Sequence, residues 1–356
     1  MTPPLYALII AGGRGTRFWP RSRRKLPKQC IALGTERTLI QQTVDRIKPL
    51  VPPERILVVT SWDMAEAVIA QLPELPGENV LVEPVGRNTA PAVGWGCMDI
   101  ARRAAGENAV VAVLPSDHII ADEEELLSVL GACAAAAAAT NALVTIGLEP
   151  TRAETGFGYL KCGGMLGEFE AHDFLRVERF VEKPNAATAA EYLASDSYLW
   201  NAGMFVFTVE AARDAFRQHL PATWALLERL RYEPGDLGRL YPQMDATSID
   251  YGIMERSRHV LTVRADLGWS DVGSWPALAE HLPAIPGGRG VADPVVAVDS
   301  SGNIVHAPGK VVALVGVSDL VVVDTGDALL VCDKEQAQRV REVLAVLEER
   351  GLDELL

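Results

Sequence analysis

With 356 residues, 49% of them hydrophobic and 22% charged, the chain has the make-up of a soluble globular enzyme, long enough for one large domain and a smaller one. A formal net charge of −14 excludes the basic face that a nucleic-acid binder needs. Five scattered cysteines without a CxxC pair exclude a disulfide framework and a zinc site, and suit a reducing compartment.

The first 150 residues alternate short apolar runs with helical patterns. "YALIIA", "RILVVT", "VLVEP", "AVVAVLPSD" and "ALVTIGL" are continuous and rich in β-branched residues, which predicts strands buried on both faces of a parallel sheet. Helices are predicted between them, including Leu39 to Lys48 and Asp122 to Ala139. The alanine-rich stretch from Gly131 reads as a packed helix running into a strand and not as a membrane span. Nothing at the amino end has the pattern of a targeting signal, so a cytoplasmic location is expected.

From Phe157 to Thr208 the pattern becomes strand-rich, as where antiparallel elements join a sheet. Helical segments are predicted again over Val209 to Arg231 and Gly252 to Ser257. Pro and Gly concentrate in "AIPGGRGVADP", which predicts a boundary there: a domain over 1–284 and a second over 285–356. The latter has short turn-punctuated strands resembling coils of a β-solenoid, then a helix over Lys334 to Arg350 capped by Asp333. A solenoid of a few coils leaves its ends bare, which makes it a candidate surface for a homodimer.

The stretch "LIIAGGRGTRFWPRSRRKLPKQ" carries the most chemistry. A strand ends in Gly12-Gly13-Arg14-Gly15-Thr16-Arg17, and seven Arg or Lys fall between Arg14 and Lys28 with no acid among them. The turn is not a Walker A loop, and Phe18 replaces the third glycine of a dinucleotide fingerprint, which argues against a dehydrogenase. Consecutive N–H groups of a glycine turn form an anion nest, and Arg14, Arg17 and Lys28 are placed to surround a triphosphate. Asp117 and Asp271 each follow an apolar run or lie in a turn. A carboxylate at a strand end suits Mg²⁺, which takes one or two of them and completes its shell from phosphates and water, and capping a turn is the other expectation for each.

The signature, with "GRNTAPA", "LPSDH", "FVEKP", "WNAGMF", "SIDYGIME" and "GWSDVGSW" in order, resembles the sugar-1-phosphate nucleotidyltransferases, and among them the mannose-1-phosphate guanylyltransferases. The resemblance implies an α/β fold, a Rossmann-like mixed, mainly parallel sheet flanked by helices, with a small β-helix-like domain and a terminal helix. It implies GTP and mannose 1-phosphate as substrates and Mg²⁺ held by Asp117 and Asp271. It places the nucleotide against Leu8, Ala11, Gly12, Gly13, Gly15, Thr16, Asn88 and Ser116, and the sugar phosphate against Gly158, Glu182, Lys183 and Asn201. Some bacterial members carry a mannose-6-phosphate isomerase domain, which this chain is expected to lack.

A sugar 1-phosphate is mostly a dianion near pH 7 and attacks the α-phosphorus of a nucleotide without a general base. It needs charge neutralisation and in-line placement. Glu83 offers an acceptor for the N1–H and exocyclic amine of guanine, a donor pair that uracil and thymine lack; a strand-end pairing with Arg87 is the other expectation. Another hexose phosphate or base, or a non-catalytic sensor of nucleotide sugars, are the alternatives.

Overall fold

A computed structural model describes residues 3–33 and 35–356. Nine strands form the main sheet: β1 (Leu5–Ile10), β2 (Ile56–Ser61), β3 (Val80–Glu83), β4 (Val110–Pro115), β5 (Leu143–Leu148), β6 (Gly158–Phe169), β7 (His172–Glu182), β8 (Tyr198–Thr208) and β9 (Val260–Ala265). Their spatial order is β3-β2-β1-β4-β8-β5-β9-β7-β6. Only β7 and β8 run against the rest, so the mixed, mainly parallel sheet expected from the apolar runs is present.

The strands alternate between two cores because both faces are covered. In β1, Ala7 and Ile9 pack on the side of α1 (Leu39–Ile47), α2 (Ala65–Gln71) and α4 (Glu123–Thr140). Tyr6 and Leu8 face α3 (Thr89–Arg103), and on that side lie α6 (Val209–His219) and α7 (Pro221–Tyr232). A short helix, α5 (Ala186–Leu193), precedes β8. The Thr38 hydroxyl accepts from Gln41 N and the Gln41 side chain returns to Thr38 N, a capping box that starts α1. Asp122 caps α4 by accepting from Glu125 N at 2.9 Å.

Two predicted helices are divided. The helical run from Val209 breaks at Leu220, because Pro221 has no N–H to donate and starts α7 instead. The run from Lys334 is a 3₁₀ stretch to Arg341 followed by a helix over Glu342–Glu349, with Asp333 accepting from Glu335 N at 2.7 Å. Ala337 and Val340, three apart and both buried, share one face at three residues per turn. The predicted segment Gly252 to Ser257 is a helical turn, Ile249–Gly252, with a 3₁₀ turn after it.

The region past 284 holds β10 (Ala284–Ile285), β11 (Gly288–Val291), β12 (Val295–Val298), β13 (Asn303–His306), β14 (Val312–Val315), β15 (Leu320–Asp324) and β16 (Leu329–Asp333). β11, β13 and β15 stack in parallel, and β12 and β14 do the same on another side, giving the coils of a small β-helix. It is fused to the main domain. Ile304, Val321, Val323, Ala337 and Val340 share a buried cluster with Phe18, Trp19, Ile31, Trp275 and Leu278.

Candidate active site

In an open α/β sheet, ligands bind where the strand order reverses, beyond the carboxyl ends of the strands. Here the reversal lies between β1 and β4, whose ends pair as Ile10 with Pro115. The glycine turn leaves one strand and Ser116-Asp117 leaves the other. Two cavities open at this point and share Asp117.

The first, about 350 Å³, is walled by Gly12, Gly13, Glu83 and Gly86 at one end and by Gly203, Phe205, Ile249 and Asp250 at the other. The amino end of α3 borders it. Asn88 caps that helix with its side chain accepting from Thr89 N at 2.8 Å, and both residues line the cavity. Glu83, 4% exposed, accepts from the Tyr241 hydroxyl and not from the Arg87 side chain, which donates to the Pro242 carbonyl. Its other oxygen, Oε2, is turned toward Gly12, where a β-carbon would stand 3.7 Å away. Burial pushes the Glu83 carboxyl above its ordinary range, and hydrogen bonds from the Tyr241 hydroxyl and the Arg87 backbone N–H counter this. The expected pairing of Glu83 with Arg87 thus runs through the Arg87 backbone and not its side chain, and the side-chain partner of Glu83 is Tyr241, which no motif around residue 241 announced.

The second cavity, about 370 Å³, is lined by Gly15, Thr16, Arg17, Lys28, Asp117 and Asp271, together with His118 and Arg341. Lys28 is 4% exposed; its Nζ donates to Asp117 Oδ2 at 2.9 Å and to the Asp271 carbonyl at 2.8 Å. One ammonium thus ties the ends of two distant segments together. Gly15 permits this by close approach: a β-carbon there would lie 2.2 Å from Lys28 Cβ, and its φ is +62°. Among the described residues, no backbone N–H from Gly12 to Arg17 donates to a protein acceptor, which leaves a run of donors at the cavity mouth.

Burial raises Asp271, with Asp117 adding to the effect and Lys28 opposing it, whereas Lys28 and its hydrogen bond bring Asp117 below the usual range despite burial. His118 Nδ1 accepts from Trp269 Nε1 at 3.0 Å, and burial lowers its pKa to about 4, so it is neutral near pH 7. Among the described residues, no three His, Cys, Asp or Glu side chains cluster as metal ligands. Two carboxylates in one cavity do fit a hard divalent cation that takes its remaining oxygens from phosphates and water.

The four residues expected at the sugar phosphate lie together. A β-carbon on Gly158 would come within 2.6 Å of Glu182 Oε2 and 3.2 Å of Asn201 Cβ. Lys183 Nζ meets Glu182 Oε1 at 2.7 Å, and Asn201 Nδ2 donates to Asp250 Oδ1 at 3.3 Å. Asp250 joins this group to the first cavity. Burial and then repulsion from Glu182 push its carboxyl up to about 6.

Four of the expected nucleotide and phosphate residues lie elsewhere. Leu8 is wholly buried within β1 against Gly96, because its side chain belongs to the α3 face. Ala11 is buried too, with its carbonyl accepting from Gln29 and Thr60. Ser116 is 2% exposed and borders neither cavity. Arg14 turns outward to pair with exposed Asp63 at 2.8 Å. The rest of the basic run is divided as well. Arg23 Nη1 donates to the Leu355 carbonyl at 2.7 Å and Arg24 Nη2 to Glu348 at 2.9 Å, so these two cations hold the final helical segment and not a ligand.

A family model described as nucleotidyl transferase matches residues 6–286, and one described as a MannoseP isomerase/GMP-like beta-helix domain matches residues 293–347. The mannose-1-phosphate guanylyltransferase of Salmonella muenchen is 34% identical over 98% of this chain and 75% of its own. The alginate biosynthesis protein AlgA of Pseudomonas putida is 36% identical over 98% and 72%. A crystal structure from Thermus thermophilus, described as a mannose-1-phosphate geranyltransferase, superposes with a TM-score of 0.87 at 40% identity, covering 98% of this chain and 100% of that one.

Proposed function

The chain belongs to the nucleotidyl transferase family as a sugar-1-phosphate nucleotidyltransferase, and from that premise we propose that it joins GTP and mannose 1-phosphate into GDP-mannose and pyrophosphate. The observation that carries the reading is Lys28 bridging Asp117 and Asp271 beneath a turn of free N–H groups.

A phosphate oxygen of the sugar phosphate attacks the α-phosphorus, a bond to that oxygen forms, and the bond to the β-phosphate oxygen breaks as pyrophosphate leaves. No side chain needs to take a proton, since the nucleophile is already an anion. Lys28, Arg17 and the N–H groups of Gly12, Gly13, Gly15 and Thr16 offset the charge of the triphosphate. The half-buried Glu182-Lys183 pair, with Gly158 and Asn201, orients the sugar phosphate. Asp117 and Asp271 would hold Mg²⁺, which when bound screens the phosphates of both substrates from each other. Glu83 receives the guanine edge, and Asn88 lies at the nucleotide. His118, neutral and held by Trp269, takes no proton.

We place the protein in the cytoplasm; among the described residues no helix is long and apolar enough to cross a membrane. Residues 1–284 would form the catalytic domain and 285–356 the β-helical one. Exposed Val296, Val298 and Val315, which register places side by side on β12 and β14, form the proposed homodimer face. Val296→Glu combined with Val315→Glu should give a monomer by light scattering; an unchanged dimer removes that face.

The test of the reaction is incubation with Mg²⁺, mixed nucleoside triphosphates and mixed hexose 1-phosphates, with products identified by mass spectrometry. GDP-mannose should dominate. Another nucleotide sugar would correct the substrate, and none at all would overturn the reaction.

A further inference from the structure

Arg341 lies near the carboxyl end of the chain, far in sequence from the glycine turn, yet it lines the same cavity as Gly15, Thr16, Arg17, Lys28, Asp117 and Asp271. It ends the 3₁₀ stretch Lys334–Arg341, directly after Val340, which is 3% exposed in the cluster shared with Phe18, Trp19 and Trp275. The segment is fastened to the signature stretch itself. Trp19 Nε1 donates to the Leu355 carbonyl at 2.8 Å, Arg24 N to the Leu356 carbonyl at 2.9 Å, and Arg23 to Asp327 at 3.1 Å. The position of Arg341 beside the cavity is therefore set by a buried core and by hydrogen bonds on both sides of the joint.

Its neighbour Arg339 is committed to Glu342 at 3.0 Å. The Arg341 side chain makes no hydrogen bond or ion pair to protein among the described residues, and neither does that of Arg17. Lys28 is already bound to Asp117 and the Asp271 carbonyl. The cavity sets three cations, Arg17, Lys28 and Arg341, against two carboxylates, one of them already taken by Lys28, so an anion between the two uncommitted guanidiniums is favoured. A guanidinium is planar and always charged, and its fork of donors matches two phosphate oxygens.

We propose that Arg341, supplied by the segment after the β-helix, binds the pyrophosphate portion of the nucleotide and of the leaving product, so that the small domain forms one wall of the reaction site. This rests on the nucleotidyl-transfer reading. The groups at the other end, Glu182, Lys183 and Asp250, are not affected by it. Arg341 then acts on the β- and γ-phosphates alone: it contributes to binding the triphosphate and pyrophosphate, and nothing to binding a nucleotide sugar, which lacks those phosphates.

The test is titration calorimetry of magnesium pyrophosphate into wild type, Arg341→Ala, Arg341→Lys and Arg339→Ala, each with a thermal melt. Arg341→Ala should bind pyrophosphate about tenfold more weakly, the loss of one charge-assisted hydrogen bond. Arg341→Lys should recover part of the affinity, and Arg339→Ala should match wild type. In the reverse reaction, Arg341→Ala should raise KM for pyrophosphate by a similar factor and leave KM for the nucleotide sugar within about twofold. Equal pyrophosphate affinity of wild type and Arg341→Ala overturns the inference, as does a loss matched by a lowered melting temperature or by an equal rise in both KM values. A wild type that binds pyrophosphate with the expected contrast but makes no nucleotide sugar overturns the reaction and leaves the assignment of Arg341 standing.

Discussion

The two ends of the site each pair a lysine with a carboxylate, and they do it differently. At the end we assign to the phosphates, Lys28 is almost fully buried and held by two oxygens, one of them a backbone carbonyl, so its geometry is set before any ligand arrives. At the end we assign to the sugar, Lys183 is half exposed and meets Glu182 alone, beside an Asp250 carboxyl that burial pushes up to about 6. The difference matches the roles we propose for the two ends. Two polyanions can be brought together only by charge fixed in place, because reorganisation at the moment of reaction would cost the stabilisation it provides. A hydroxyl-rich sugar is met by groups that both donate and accept, so a carboxyl able to change protonation is tolerated there.

The largest effect belongs to Lys28. Lys28→Ala should lower turnover by about 10²- to 10³-fold, the scale of one lost transition-state donor, in a steady-state assay at saturating substrates. A loss under about threefold would remove Lys28 from the chemistry and make the phosphate end no more fixed than the sugar end. Tyr241→Phe takes from Glu83 the buried hydroxyl donor behind the first cavity, worth about 1 kcal/mol, and should raise KM for GTP by about fivefold. An unchanged KM and an unchanged preference over UTP would mean that Glu83 does not read the base.

Asp250 gives a test that needs no substrate. Its folded pKa is raised from 3.8 to about 6, so its contribution to stability is fully present below about 3.8 and is lost as pH rises through 6. In urea titrations of the free protein, wild type should therefore lose stability relative to Asp250→Asn between those limits; parallel curves would contradict the assignment. Arg14→Ala should be the mildest change. An exposed pair with Asp63 is worth at most about 1 kcal/mol, so turnover should stay within about threefold of wild type, while Arg17→Ala, whose side chain lines the cavity, should lose more. Equal losses would mean that the outward turn of Arg14 is not what the working enzyme uses.

The sheet was legible because β1, β2, β4 and β5 are buried on both faces and so read as unbroken apolar runs. Asp117, Asp271 and Lys28 could be singled out because each sits in a local motif, and the fold brings all three to one cavity. What escaped reading depends on contacts far apart in the chain. Nothing near Tyr241 points to Glu83, and nothing near Arg341 points to Lys28, since both meetings are made by packing that the local pattern does not encode. The basic run misled for the opposite reason: charge density is visible in sequence, but direction is not. Arg23 and Arg24 lie in the same run as Arg17 and face away from the cavity that Arg17 lines, to hold Leu355 and Glu348.

We propose that Asp117 and Asp271 hold a divalent cation together with substrate phosphates. Mn²⁺ titration followed by electron paramagnetic resonance, with and without GTP, tests it directly on wild type, Asp117→Asn and Asp271→Asn. Wild type should bind one Mn²⁺ tightly only with nucleotide present, and either substitution should weaken that binding by about tenfold or more. Undiminished Mn²⁺ binding by the two variants in the presence of GTP would contradict it.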